Sequence, residues 1–180
     1  DLERSNKFDY NEHNIEGYTQ YTHTWNKLEL SAGLRMEYMY THNKLNAYTN
    51  HKTEENNRKK FRLFPNMSVS YTFNEKNKLT LLYSRRQDKP RYEDLNPFEY
   101  LLDELSYWKG NPFLKPQISN KITLNYTRKS LSLNLYYNKL DDYFTSLTDV
   151  FENNKTIMTT KNIGTQQQVG LEAIFSKRLT

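Results

Sequence analysis

Residues Leu28–Tyr40 read Leu-Glu-Leu-Ser-Ala-Gly-Leu-Arg-Met-Glu-Tyr-Met-Tyr. The even positions are Leu28, Leu30, Ala32, Leu34, Met36, Tyr38 and Tyr40, and the odd ones are Glu29, Ser31, Gly33, Arg35, Glu37 and Met39. A period of two sends these sets to opposite faces of a β-strand, one greasy and one charged. At about 3.3 Å per residue the run spans roughly 40 Å, which at a tilt of about 45° crosses a hydrocarbon layer of about 25 Å. Strands of soluble sheets are usually only about 5–6 residues long.

The pattern repeats on both sides of this run. Leu63, Pro65, Met67, Val69, Tyr71 and Phe73 alternate with Phe64, Asn66, Ser68, Ser70 and Thr72, and Leu79, Leu81 and Tyr83 with Thr80, Leu82 and Ser84. Ile122, Leu124 and Tyr126, then Leu131, Leu133, Leu135 and Tyr137, then Val169, Leu171, Ala173 and Phe175 continue it; residues 14–24 form a weaker strand. Seven antiparallel strands are expected, their outer edges lying in residues 14–24 and 169–177. Short turns at Trp25-Asn26-Lys27, residues 74–77 and residues 127–130 alternate with long polar segments at 41–60, 87–115 and 149–155. Bacterial outer-membrane barrels have short periplasmic turns and long extracellular loops, so the long segments read as extracellular. Trp25, Tyr71, Phe73 and Tyr126, near the short turns, fit the lower aromatic girdle; Tyr38, Tyr40, Phe61 and Tyr137 fit the upper one.

Composition excludes several classes. With 36% hydrophobic and 26% charged residues and a mean hydropathy of -0.99, the chain has no apolar run long enough for a transmembrane helix. A transmembrane strand needs only every second residue apolar, so low hydropathy does not count against it. Aromatic residues at 14% argue against disorder. Zero Cys removes disulfides and thiolate metal sites, and no secretory signal is read in the first residues. The net charge of +5 is scattered among acids, which speaks against nucleic acid as a partner. Periodicity alone leaves a soluble β-sandwich or lipocalin-like barrel open, because it does not say whether the apolar face meets lipid or a protein core.

One stretch carries a family resemblance. Tyr83-Ser84-Arg85-Arg86 is followed by Pro90-Arg91-Tyr92, Leu95-Asn96-Pro97-Phe98 and Gly110-Asn111-Pro112-Phe113-Leu114-Lys115-Pro116. In order and spacing this resembles the strand-loop-strand signature of TonB-dependent-receptor-type outer-membrane β-barrel proteins of the Bacteroidota, with Lys89-Pro90 standing where that family more often has Arg-Pro. Residues 162–172 also look like a descending barrel strand of that family. The resemblance implies an all-β, antiparallel transmembrane barrel segment over residues 1–180 in the bacterial outer membrane; the sequence departs from the family's pattern in that no plug domain, TonB-box-like leader or terminal aromatic strand is read in it. It further implies a receptor that binds and imports an extracellular substrate. Its partners would be outer-membrane lipid, the remaining barrel and plug, and a TonB-type energy-coupling system. A structural or assembly barrel in an envelope complex, docking proteins through its loops, is the alternative.

Signals for catalysis are absent. His13, His23, His42 and His51 are too dispersed for a metal site, the acidic residues of the 87–115 loop lack calcium-loop spacing, and neither a phosphate-binding glycine loop nor a nucleophile elbow occurs. The acceptor-like triplets at Asn66, Asn125 and Asn154 read as chance matches. Neither enzyme activity nor a cofactor is expected. Alternation places Glu29, Arg35, Glu37, Arg86 and Lys121 on the face turned toward a barrel lumen, while Arg85-Arg86 also suits the upper end of a strand leaving the membrane. The 87–115 loop, stiffened by prolines and rich in aromatics, is expected to be extracellular and partly ordered, with Arg91, Tyr107 and Trp108 as ligand or partner contacts.

Overall fold

The computed structural model describes residues 6–47, 52–150 and 155–176. Seven long strands form the body: β1 (Asn6–Trp25), β2 (Leu28–Ala47), β3 (Lys52–Asn74), β4 (Asn77–Asp88), β7 (Gln117–Arg128), β8 (Leu131–Val150) and β9 (Thr156–Phe175). Between β4 and β7 the chain forms a one-turn helix, α1 (Tyr92–Leu95), and a small hairpin of β5 (Glu99–Leu101) and β6 (Ser106–Lys109). All strands join one sheet in the order β1-β2-β3-β4-β7-β8-β9-β6-β5. Every long pair is antiparallel, and β6 joins β9 in parallel.

Register turns seven separate alternations into one surface. Trp25 faces Leu28, Leu28 faces Tyr71, Tyr71 faces Leu79, Leu79 faces Tyr126, Tyr126 faces Leu133 and Leu133 faces Ala173, so one row runs across the whole sheet. Further rows above it, such as Ala32–Met67–Tyr83–Ile122–Tyr137–Val169, stay on the same side. Higher still, Arg85, Asn120, Lys139 and Gln167 align across four strands and end the apolar band on that half of the sheet. A slip of one residue in any pair would invert a strand's side chains, so the continuous face specifies the register. This face is bare: Ile15 is 71% and Leu171 is 74% exposed. The opposite face is crowded and polar, with Glu37, Thr41, Asn43, Ser70 and Thr160 all buried, and it forms the inside of a half-barrel.

Several strands run far beyond the apolar band. Residues 41–47 and 52–60 continue β2 and β3, so the polar segment expected as a loop over 41–60 is strand at its described residues, and the one expected over 149–155 begins inside β8. The strand expected over 14–24 likewise begins at Asn6. The reason is backbone pairing: Thr41 lies opposite both Glu12 and Arg58, and the ladder continues although the side chains are polar. Asn154 and Lys177 lie outside the described residues. At the other end, two-residue turns join β1 to β2 and β7 to β8, with Asn26 and Lys129 both at φ 51. Asn tolerates that left-handed geometry better than most residues. None of the described helices is long and apolar enough to cross a membrane.

Candidate ligand site

The connection between β4 and β7 is tucked onto the concave face, and its fold explains the signature residues one by one. Asn-Pro-Phe occurs twice, at 96–98 and 111–113. In each copy the Asn side-chain oxygen accepts the backbone N–H two residues on, at 3.3 Å from Phe98 and 3.0 Å from Phe113. Such Asx turns let the side chain imitate a backbone turn. Leu95, before the first copy, and Leu114, after the second, are 6% and 2% exposed and close on Phe8 of β1, with Tyr10, Leu45, Phe98 and Phe144 around them. Gly110 is fixed by proximity, since a Cβ there would lie 2.2 Å from the Asn96 carbonyl oxygen.

The loop is tethered to both ends of the seven-strand sheet. On β1, the Tyr92 hydroxyl donates to the Phe8 carbonyl at 3.4 Å, and Lys89 pairs with Glu12 at 2.6 Å. On β9, the Asn111 amide donates to the Thr160 carbonyl at 3.2 Å, while Asn162 exchanges hydrogen bonds with the Lys115 backbone at 2.9 and 3.0 Å. The buried Asp94 accepts from Thr160 at 3.4 Å and from Arg91 at 3.1 Å. This strap spans the mouth of the half-barrel.

Beneath it lies a cavity of about 570 Å³ between the loop and the inner faces of β1, β2 and β3. Arg58, Lys60, Arg62, Lys89 and Lys115 line it, against two carboxylates, Glu12 and Asp142. Each carboxylate already faces a loop lysine: Glu12 meets Lys89, and Asp142 meets Lys115 at 4.0 Å. Asp142 owes its position to a bulge in β8 that gives it φ 53. Arg58 donates to the Leu114 carbonyl at 3.1 Å, and burial draws its pKa below the ordinary value, though a guanidinium remains charged at neutral pH. Burial and the neighbouring Glu12 push the Tyr10 hydroxyl up, keeping it a neutral donor to Glu12 at 2.7 Å. Burial raises Glu12 itself, but hydrogen bonds from Lys89 and Tyr10 outweigh it and hold the carboxyl below its usual range.

A second polar cluster lies just below on the same face. Arg35 bonds Glu16 at 3.1 Å and stacks over the Phe64 ring at 4.5 Å. Glu37, only 1% exposed, accepts from Gln87, which in turn accepts from Arg62 at 2.9 Å. Among the residues expected to face a lumen, Glu29, Arg35 and Glu37 share this face of β2, and register places Arg86 of β4 and Lys121 of β7 on it too. Lys121 sits over the Tyr136 ring at 4.5 Å. The three expected contact residues are dispersed: Arg91, its side chain 74% exposed, caps α1, while Tyr107 and Trp108 are half-buried in β6 between β5 and β9. None of the three lines the cavity, whose loop contribution comes instead from their neighbours such as Pro90, Tyr92 and Leu95. Sequence reading missed Arg58, Lys60 and Arg62. Their i, i+2, i+4 spacing is the available signal, but it straddles the end of the polar 41–60 segment, where no hydrophobic period marks a strand. Among the described residues, no group of three potential metal ligands occurs.

The chain matches, over residues 1–180, the family described as "Outer membrane protein beta-barrel family". It belongs to that family. It is therefore an outer-membrane β-barrel chain, with its apolar face toward lipid. Similar solved structures are the hemophore receptor HasR of Serratia marcescens in complex with its hemophore and heme (15% identity, TM-score 0.69, 90% of this chain and 31% of that one) and the copper transporter OprC (13%, 0.63, 94% and 27%). The ferric yersiniabactin uptake receptor FyuA of Yersinia pestis is a third (12%, 0.55, 93% and 24%). At these identities the likeness is one of fold. The barrel chain spans about a quarter to a third of the length of these receptors and transporters. No curated protein sequence matches it.

Proposed function

We propose that this chain is part of a TonB-dependent receptor of the Bacteroidota type, which captures an extracellular substrate and imports it across the outer membrane. The observation that carries the reading is the open cavity between the strapped loop and the inner barrel wall, at the end bearing the long connections. A site there meets solutes before they enter the lumen, and a concave, partly apolar pocket with a few placed polar groups is the usual form of a ligand site. In this reading Glu29, Arg35, Glu37, Arg86 and Lys121 line the lumen below. Arg91 and the hairpin carrying Tyr107 and Trp108 make the outer contacts with an arriving ligand or partner protein. Energy would come from a TonB-type system acting through the remainder of the protein.

The test replaces residues 91–111 of the full-length protein by a Gly-Ser linker and compares growth with wild type across media each limited in one nutrient. A defect in at least one medium, vanishing in a background without TonB, is expected. Unchanged growth everywhere, with stable co-purification of envelope proteins through the loop, would replace import by an assembly role.

A further inference from the structure

We infer that the cavity is selective for a polyanionic ligand, held by a ladder of three cations on the inner face of β3; this rests on the receptor reading and names its substrate class. Arg58, Lys60 and Arg62 are alternate residues of one strand, so their Cα atoms step up the wall about 6.6–6.8 Å apart. All three line the cavity, and among the described residues none forms an ion pair with a carboxylate. Arg58 and Arg62 bond to neutral groups, the Leu114 carbonyl and the Gln87 side-chain oxygen. Glu37 stands opposite Arg62 in register and is linked to it only through Gln87; one of its carboxylate oxygens accepts from Gln87, and the other lies 3.9 Å from Arg35 without a hydrogen bond.

The cavity's own carboxylates are turned to the loop. Glu12 and Asp142 pair with Lys89 and Lys115, so they offset the loop lysines and form no ion pair with the β3 ladder. A partly desolvated site holding like charges gains most from ligand groups of opposite sign, and Arg binds carboxylate, sulfate or phosphate in a forked geometry that a neutral solute cannot use. A lipid headgroup is excluded by position, because the ladder occupies the concave side while lipid meets the other. The ligand is therefore a soluble molecule with two or more anionic groups.

Calorimetry on the purified full-length receptor tests this with myo-inositol hexakisphosphate as probe and myo-inositol as its uncharged counterpart. The phosphorylated probe should bind, weaken as salt rises, and lose about tenfold or more in affinity on R58Q/R62Q, since a hydrogen bond to a charged group is worth about 1.5–3 kcal/mol. Heat-modifiable migration of that variant checks that the barrel is intact. The variant Asp142→Asn, which keeps the residue's tolerance for its backbone geometry, should tighten binding about threefold by releasing Lys115. Equal binding of both probes, no binding of the phosphorylated one, or indifference to R58Q/R62Q and Asp142→Asn alike would overturn the inference. Import is read separately in the growth assay, so the receptor reading stands or falls on its own.

Discussion

The lower half of the sheet and its strapped upper end are stabilised by opposite means. Between Leu28 and Tyr38 and their cross-strand partners, almost no residue on the outer face is buried by protein; apolar side chains point away from the sheet and the environment supplies the driving force. At the upper end the apolar contacts are internal, with Phe8, Leu95 and Leu114 closing on one another and a loop held at both edges. The first region is specified by a period, the second by particular partners. A single substitution should therefore fail differently in each.

The largest effect is expected where the period is broken. Leu81 and Leu82 are neighbours on opposite faces of β4, 45% and 39% exposed. In the full-length protein, Leu81→Arg should cost about 2–4 kcal/mol of folding free energy in lipid vesicles, the cost of a cation on the lipid face. Leu82→Arg, on the inner face, should stay within about 1 kcal/mol of wild type. Urea titrations of refolding yield read both; similar losses would erase the distinction between the faces.

Gly110→Ala strikes the second region. The added Cβ meets backbone rather than a movable side chain, so the Asn96–Gly110 contact must open, at about 1–3 kcal/mol for an overpacked site. The barrel should keep its heat-modifiable migration while limited proteolysis cuts residues 89–116 faster. A globally unfolded variant would show that the strap supports the strands as well as covering them.

These regions were unequally legible in sequence. Leu28–Tyr40 disclosed its faces because the strand repeat is local, and the seven long strands with their short turns follow from it. The extensions of β2, β3 and β8 were hidden, since polar ladders carry no hydrophobic period. The cavity was hidden for a different reason: Glu12 meets Lys89, and Arg58 meets Leu114, across separations in sequence that no local pattern reports. The signature marked the right loop, yet the residues singled out as contacts, Arg91, Tyr107 and Trp108, do not line the cavity. Their aromatic and cationic character is conspicuous in sequence whether or not it faces the site.

The smallest expected effect concerns pH. Lys89 and Tyr10 hold Glu12 below its ordinary pKa despite the opposing effect of burial, so its contribution is complete above the unfolded value of 4.5 and is lost as pH falls through the lower, folded value. A spin-label pair at residues 93 and 11 should stay close and sharply distributed at neutral pH and broaden only below about pH 4.5. Glu12→Gln should flatten that response, and broadening near neutrality would assign the lid's hold to another group.

Accessibility of spin labels on β2, β4 and β7 of the full-length protein in bilayers tests the central claim most directly. Labels at Leu30, Leu81 and Leu124 should be relaxed by oxygen and shielded from a water-soluble nickel chelate, whereas labels at Ser31, Leu82 and Thr123 should show the reverse. Inverted alternation, or equal nickel access at all six positions, would contradict a sheet whose apolar face is its lipid face.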